Sequence, residues 1–282
     1  MRIKLTLFPA NGKVILPVSY NYFLTSLIYK IIKNSSEDYS RFLHDEGYKL
    51  GESKKGFKLF TYSMLTSKKF KIGGEKIIFL NSHVQWQISS PLDNFIQHLV
   101  TGVFAEGQEI EIGYINNRSS RSNSLNSLSG LNRFLIERVE TLPRPEFKGM
   151  MKFTCLSPVT VSKVAGLNDL SGLNSSNGLT CHYLRPWEDG FTEAIKNNLI
   201  KKYTLVYEKD IEDSDFAIKI DTDYMNRKSG KITKNINFKG TNIIGFMSPF
   251  EVAGSPELIE IGYEAGFGEK GSMGFGMVKE TV

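Results

Sequence analysis

The sequence predicts an α+β protein built from two ferredoxin-like domains in tandem. The order strand, helix, two strands, helix, strand can be traced twice along its 282 residues, and this order is typical of a ferredoxin-like sandwich. A proline-containing segment at 142–145 separates the two repeats. We therefore predict an N-terminal domain over residues 1–142 and a C-terminal domain over residues 143–282.

The first half supplies the clearer elements. Apolar and polar residues alternate over 2–8, which predicts a strand with one buried face. Apolar residues at helical spacing predict a helix over 19–33. Ser35 or Ser36 as N-cap and Gly47 as terminator predict a second helix over 37–46. The other predicted elements are strands over 57–65 and 76–88, a helix over 91–104, and strands over 109–115 and 134–140.

The second half repeats this order more loosely. Ser255 as N-cap and Pro256 at the first helical position predict its last helix. Two stretches rich in serine and asparagine, 116–132 and 167–180, interrupt the pattern and are predicted to be polar loops. The remaining predicted elements are a strand over 151–156, a helix over 192–203, strands over 216–221 and 231–238, and a final strand over 275–278.

Composition narrows the functional classes. The net charge of +5 is modest, so an anionic partner is expected to meet local basic patches rather than a uniformly basic surface. Two cysteines, Cys155 and Cys181, are too few for a disulfide framework or a sulfur-rich metal site. The acidic residues show no spacing typical of a two-metal site, so we expect neither metal nor cofactor. No long apolar run or signal-peptide pattern is visible, and a cytoplasmic protein without a membrane partner is expected.

Near the C terminus lies a segment with five glycines, here called the glycine-rich segment: Gly266-Phe267-Gly268-Glu269-Lys270-Gly271-Ser272-Met273-Gly274-Phe275-Gly276. Glycines of this density suit a loop that wraps a phosphate chain, and a flexible connection is the alternative. The spacing of the first three glycines matches the dinucleotide fingerprint, but the predicted order is helix, loop, strand with no βαβ unit to follow. A nucleotide-dependent enzyme is therefore disfavoured.

Three polar side chains near the N terminus are candidates for chemistry. On the helix over 19–33, Tyr29 projects opposite the apolar stripe and is predicted to lie outside the core. His44 lies in the last turn of the next helix, away from its apolar face, where the helix dipole favours a cation. Lys58 begins the following strand, just after the basic pair Lys54 and Lys55.

Segments from both halves carry a resemblance to a known family. They are the glycine-rich segment with its flanks, 261–279, and the stretches Leu16-Pro17-Val18-Ser19-Tyr20-Asn21-Tyr22, Leu27-Ile28-Tyr29, Phe42-Leu43-His44, Lys58-Leu59-Phe60-Thr61-Tyr62-Ser63 and Leu156-Ser157-Pro158-Val159. Together they resemble the RAMP superfamily and, more narrowly, the CRISPR-associated endoribonuclease that cuts repeat RNA, the sixth Cas protein. The resemblance implies a pair of ferredoxin-like domains, as the pattern also predicts.

The resemblance also implies a reaction and its residues. Carried over by motif, Tyr29, His44 and Lys58 correspond to the catalytic tyrosine, histidine and lysine of the family. Extra residues between His44 and Lys58 leave Lys54 and Lys55 as alternatives to Lys58. The implied reaction is metal-independent cleavage within repeat RNA by attack of a 2′-hydroxyl. It leaves a 2′,3′-cyclic phosphate and a 5′-hydroxyl.

CRISPR repeat RNA is the partner that the resemblance implies, while a homodimer and association with other subunits of a CRISPR complex stay open. The expected RNA contacts are Gly266, Gly268, Lys270, Gly271, Gly274 and Gly276 of the glycine-rich segment, the pair Lys54 and Lys55, and the basic group Arg227, Lys228 and Lys231. The alternative function is a non-catalytic RNA-binding subunit of the RAMP type.

Overall fold

The computed structural model describes residues 1–53, 56–107, 109–113, 132–164, 181–212 and 215–281. Within them the chain forms two main antiparallel β-sheets, each covered by helices, together with three smaller ones, and the predicted α+β class with tandem ferredoxin-like domains is confirmed. Residues 116–131 of the first serine- and asparagine-rich stretch and all of 167–180 lie outside the described residues. None of the described helices has the length and apolar composition needed to cross a membrane.

The first half contains nine strands and three helices within the described residues. The strands are β1 (Arg2–Pro9), β2 (Lys13–Pro17), β3 (Thr61–Tyr62), β4 (Thr66–Ser67), β5 (Phe70–Gly73), β6 (Lys76–Leu80), β7 (Val84–Ser89), β8 (Glu109–Glu111) and β9 (Arg133–Thr141). The helices are α1 (Asn21–Ser35), α2 (Glu37–Asp45) and α3 (Asp93–Glu106).

The main sheet of this half runs in the order β3-β7-β1-β9-β8, with β4 also paired to β7. Four neighbouring strands of this sheet, β3, β7, β1 and β9, have the ferredoxin-like order, because β1, the first of them in the chain, lies between β9, the last, and β7, the third. The register places Leu5 opposite both Trp86 and Val139. A smaller sheet, β2-β6-β5, lies beside it.

The predicted apolar stripe of α1 forms the centre of the first core. Leu24, Leu27, Ile28, Ile31 and Ile32 are all buried, in one cluster with side chains of the main sheet and of α3. Close packing of α1 on α3 depends on a glycine in α3: a Cβ at Gly102 would lie 1.9 Å from the Ile31 carbonyl oxygen. This packing holds the two helices on the same side of the sheet.

The second half contains eight strands and three helices within the described residues. The strands are β10 (Met150–Cys155), β11 (Ser162–Val164), β12 (Cys181–Tyr183), β13 (Ala217–Ile220), β14 (Thr233–Phe238), β15 (Thr241–Phe246), β16 (Phe250–Ala253) and β17 (Val278–Glu280). The helices are α4 (Phe191–Tyr207), α5 (Thr222–Arg227) and α6 (Pro256–Ala265).

The second sheet repeats the topology of the first, in the order β13-β16-β10-β17. Its core contains Phe153, Ile195, Leu258 and Phe267, contributed by the sheet, α4, α6 and the glycine-rich segment. Strands β14 and β15 form a separate hairpin, and β11 pairs with β12. Along the chain, the last strand of the first main sheet ends at Thr141 and the first strand of the second begins at Met150. The domain limits 1–142 and 143–282 stay a prediction.

Four predicted elements are wrong in detail. The stretch 76–88 is two strands in different sheets, because the chain turns between β6 and β7. The strand expected over 57–65 is regular only at β3. The strand expected over 231–238 is β14, which pairs with β15, and the second sheet instead uses β16, which was not predicted. The final strand begins at Val278 rather than at 275.

Candidate active site

Tyr29 lies in the middle of α1, on the side that packs against α2. Its ring meets the His44 ring edge-on at 5.5 Å between centroids and the Phe60 ring at 6.2 Å. The side chain is half-buried against the first core, so the prediction that Tyr29 lies outside the core is wrong. The periodicity of α1 could not show this because α2 and Phe60 cover that face. Burial raises the pKa of Tyr29 to about 12, which keeps its hydroxyl protonated at neutral pH.

His44 is in the last turn of α2 and is well exposed, as predicted. The helix begins where the Ser36 side chain accepts a hydrogen bond from the Tyr39 amide, and Leu43 is buried on the inner face. The His44 side chain is 72% exposed, and its Nδ1 lies 2.7 Å from Oδ1 of Asp45. The other ring nitrogen, Nε2, therefore stays available for a substrate.

Lys58 reaches the end of the same helix from the segment that precedes β3. Its Nζ donates a hydrogen bond of 2.9 Å to the backbone oxygen of His44. Two glycines make this approach possible. A Cβ at Gly47, which has a φ of +69°, would lie 3.0 Å from Lys58 Cδ, and one at Gly56 would lie 1.8 Å from the Glu46 oxygen. The structure thus brings both Tyr29 and Lys58 into contact with His44, while the catalytic roles of the three residues stay a prediction.

Burial and the neighbouring charges have opposing effects on the pKa of Lys58. Partial burial lowers the pKa of Lys58, and the positive charge of Lys49 acts in the same direction. The negative charges of Asp45 and Glu46 oppose this shift. A partly desolvated ammonium interacts more strongly with a phosphate than one in bulk water, because screening by solvent is weaker.

Lys58 also lines a cleft that both halves of the chain form. The cleft has a volume of about 220 Å³. From the first half it is lined by the segment 56–60, and from the second half by Asn198 and Lys202 of α4 and by residues 268–273 of the glycine-rich segment. Gly268, Lys270 and Gly271, three of the predicted RNA contacts, therefore share a cavity with Lys58.

Most of the glycine-rich segment is packed inside the protein. Phe267 and Phe275 are fully buried, and Gly266, Gly268, Gly274 and Gly276 are buried as well. A Cβ at Gly268 would lie 2.3 Å from the Thr160 oxygen, and one at Gly276 would lie 2.3 Å from the Phe267 oxygen. Gly268 and Gly276 thus permit close packing of backbone on backbone, whereas Gly274 leaves room for the side chains of Tyr62 and Asn21. Gly268 and the half-buried residues 269–273 form the part that lines the cleft.

A buried lysine of α4 fixes the backbone at the start of the glycine-rich segment. Lys202 is 4% exposed, and its Nζ donates hydrogen bonds to the backbone oxygens of Ala265, Gly266 and Gly268 at 3.3, 2.5 and 2.7 Å. The sequence prediction missed this residue. The available signal was its position, because Lys202 falls on the buried face of α4 with Ile195 and Leu199 at helical spacing.

Side chains of the first half hold the same segment from the opposite side. Asn21 Nδ2 donates to the Met273 and Gly274 oxygens at 3.2 and 3.3 Å, and Thr25 donates to the Ser272 oxygen at 3.0 Å. The Thr61 hydroxyl donates to the Phe275 oxygen at 2.8 Å. Because Asn21 and Thr25 belong to α1, the helix that carries Tyr29 also fixes the position of the glycine-rich segment.

Of the other predicted RNA contacts, the three around α5 do not line the cleft. Arg227, Lys228 and Lys231 are exposed around the end of α5, and both Arg227 and Lys228 lie over the ring of Tyr224. Lys54 and Lys55 lie outside the described residues. Among the residues that the structure does describe, no group of three His, Cys, Asp or Glu side chains is arranged to hold a metal ion.

The fold and the site together define a protein with two ferredoxin-like domains and a Tyr-His-Lys cluster beside the cleft between them. Family models of the CRISPR-associated protein Cas6 match the chain in both parts, the N-terminal model over residues 15–118 and the C-terminal model over residues 142–280. The CRISPR-associated endoribonuclease Cas6 1 of Methanocaldococcus jannaschii is 30% identical over 278 residues, covering 99% of this chain and 92% of the relative. The chain belongs to the Cas6 family.

Solved structures agree with this assignment. One described as a Cas6-related gene product from Pyrococcus furiosus has a TM-score of 0.77 and 26% identity, covering 100% of this chain and 98% of its own. Another, described as a RAMP protein binding different RNA substrates, has a TM-score of 0.76 and 26% identity, covering 100% of both chains. The resemblance stated from the sequence motifs is therefore confirmed at the level of family and fold.

Proposed function

We propose that the protein processes CRISPR precursor RNA as a metal-independent endoribonuclease that cuts within the repeat. The observation that carries the proposal is the convergence of Tyr29, His44 and Lys58, from three different segments, next to a cleft shared by both domains. Two further observations support it: membership of the Cas6 family, and the M. jannaschii relative's description as an endoribonuclease.

The proposed reaction needs little beyond these three side chains. The 2′-oxygen next to the scissile phosphate attacks phosphorus and loses its proton. The P–O5′ bond then breaks as the 5′-oxygen gains a proton. Imidazole exchanges protons near neutral pH, so His44 is assigned to proton transfer. The Lys58 ammonium stabilises the charge that builds on the phosphorane oxygens. Tyr29 keeps its proton and donates a hydrogen bond to the phosphate.

The RNA path is proposed to follow the cleft. Lys58, Lys270 and Gly271 line it together, so a phosphate at Lys58 has a second cation and the surface of residues 269–273 nearby. Arg227, Lys228 and Lys231 offer an exposed basic surface for a more distant part of the RNA. The buried glycines Gly266, Gly274 and Gly276, which do not line the cleft, support this surface from within rather than by touching RNA.

The test uses two repeat RNAs in excess chelator, one natural and one with a single 2′-deoxy substitution immediately upstream of the cut. We expect cleavage of the natural RNA only, with cyclic phosphate on the upstream product. We expect His44→Ala to lower the single-turnover rate by about 10²–10⁴-fold, the usual range for a lost general acid or base.

His83→Ala is the matched control for this experiment. His83 is also an exposed histidine paired with a carboxylate, Glu137, and its ring contacts Phe8 near the end of β1, just before β7 begins. We expect this variant to cleave at the wild-type rate. Cleavage of the 2′-deoxy RNA would refute the mechanism. A His44→Ala variant that binds RNA and shows the same background cleavage as wild type would favour the non-catalytic RNA-binding alternative.

A further inference from the structure

Asp45, the last residue of α2, directly follows His44 and faces its ring. Oδ1 of Asp45 lies 2.7 Å from Nδ1 of His44, within the range of a charge-assisted hydrogen bond. Both side chains are largely exposed, at 72% for His44 and 61% for Asp45. A carboxylate accepts but does not donate, so the proton in this contact belongs to the imidazole.

We propose that Asp45 is a positioning residue for the cleavage reaction: it holds His44 with Nδ1–H directed at the carboxylate, so that Nε2 is the nitrogen that exchanges a proton with RNA. This inference rests on the function proposed above. It adds a residue that the motif comparison did not include.

The surroundings of His44 fit this arrangement. From α1, the neutral Tyr29 ring packs edge-on against the imidazole at 5.5 Å between centroids. From the segment before β3, Lys58 bonds to the backbone oxygen of His44 rather than to its ring. Near the end of α2, the charged groups Glu46 and Lys49 lie 4.0 Å apart as an ion pair. Asp45 is the carboxylate with a described contact to the imidazole.

The same carboxylate also acts on Lys58. Burial lowers the pKa of Lys58, and the negative charge of Asp45 is the largest of the effects that oppose this shift. Asp45 thus helps to keep the ammonium charged while it orients the imidazole. One side chain therefore couples the proton-transfer group to the charge-stabilising group.

The proton balance with Asp45 in place is simple. When His44 acts as an acid, Nε2–H passes to the 5′-oxygen, which also takes the electron pair of the breaking P–O5′ bond. The ring is left neutral with its remaining proton on Nδ1, facing Asp45. When His44 acts as a base, Nε2 accepts the proton of the 2′-hydroxyl. In both directions Asp45 stays ionised.

The experiment measures the His44 tautomer and the cleavage rate separately. In ¹⁵N-histidine-labelled full-length protein without RNA, nitrogen chemical shifts report which ring nitrogen carries the proton. We expect the Nδ1–H form in wild type and in Asp45→Glu, and the Nε2–H form in Asp45→Asn. With repeat RNA, we expect Asp45→Asn to cleave about tenfold more slowly at saturating enzyme while its RNA affinity is unchanged or tighter.

Asp38→Asn is the matched control, because it removes one negative charge from the same helix at a site 93% exposed and 3.6 Å from Arg41. We expect it to keep the wild-type tautomer and rate. The proposal is overturned if His44 keeps the Nδ1–H form in Asp45→Asn, or if Asp45→Asn cleaves as fast as Asp38→Asn. If wild type shows the Nδ1–H form but cleaves no repeat RNA, the proposed function fails while the placement of the Nδ1 proton stands.

Discussion

The glycine-rich segment and the Tyr-His-Lys cluster contrast sharply in how the protein uses them. The segment is continuous in sequence, yet most of it is buried and bonded to protein on both sides. The cluster comes from three separate segments, and its histidine is open to solvent. The most recognisable motif of the chain thus serves packing between domains, whereas the proposed chemistry depends on residues that tertiary structure assembles.

The contrast follows from what each task requires. A substrate must reach any side chain that acts on it, so a cluster proposed for catalysis cannot be fully buried in the core. Backbone that passes close to other backbone needs residues without a Cβ, so glycines collect where the two domains meet the segment. The two regions meet in the cleft, which Lys58 and residues 268–273 line together.

The largest expected effect tests the packing role of the segment. Gly268→Ala places a Cβ 2.3 Å from the Thr160 oxygen, at a φ of +78°. The steric overlap and the strain of a positive φ both destabilise this variant. We expect the free energy of unfolding to fall by about 2–4 kcal/mol, measured by urea denaturation. The control is Gly12→Ala, which has a similar φ of +71° but nothing within 4 Å, and should lose only about 1 kcal/mol. Equal losses in the two variants would show that close approach at Gly268 is unimportant.

A smaller effect on stability, joined to an effect on rate, is expected beside the cluster. Gly47→Ala places a Cβ 2.6 Å from the Phe57 oxygen and 3.2 Å from Lys58 Nζ. We expect a loss of about 1–2 kcal/mol in unfolding free energy, together with a roughly tenfold slower single-turnover cleavage, because Lys58 must move. Gly51→Ala, in the same loop with nothing within 4 Å, should cleave at the wild-type rate. A normal rate in Gly47→Ala would contradict the assigned position of Lys58.

The smallest expected effect concerns the hydroxyl of Tyr29. We expect Tyr29→Phe to slow cleavage about tenfold through loss of one hydrogen bond to the phosphate. Because burial raises the folded-state pKa to about 12 from a reference value of 10.0, the folded state holds the Tyr29 proton more tightly than the unfolded state. This contribution to stability is complete below pH 10 and is lost as the pH rises towards 12.

Urea denaturation between pH 8 and pH 11 measures this linkage. The unfolding free energy of Tyr29→Phe should decline less steeply above pH 10 than that of wild type, although other buried tyrosines such as Tyr20 and Tyr62 keep some decline in both. Parallel curves for the two proteins would contradict a desolvated hydroxyl at Tyr29.

Sequence patterns predicted the elements whose signal is local. The alternation of β1, the stripe of α1 and the caps of α2 and α6 all predicted elements within a few residues of their observed bounds. The patterns failed where pairing decides the outcome, as in the stretch that divides into β6 and β7 and in the unpredicted β16. Strand partners lie far apart in sequence, so local periodicity carries no information about them.

For the candidate site, the motif comparison named Tyr29, His44 and Lys58, and the structure brings them together. Lys202 was missed because a lysine in an apolar stripe is ambiguous until the carbonyl oxygens that face it are known. Asp45 was missed because adjacency in sequence does not show which way two side chains point.

The sequence by itself determined the repeated α+β order, the family and the identity of three candidate catalytic residues, because these depend on residue type and spacing along one chain. Tertiary structure alone decided that Tyr29 is covered, that Lys58 reaches the end of α2, and that the glycine-rich segment is mostly interior. These outcomes depend on which surfaces meet. Contacts of that kind arise between residues distant in sequence, where a local pattern has no physical influence.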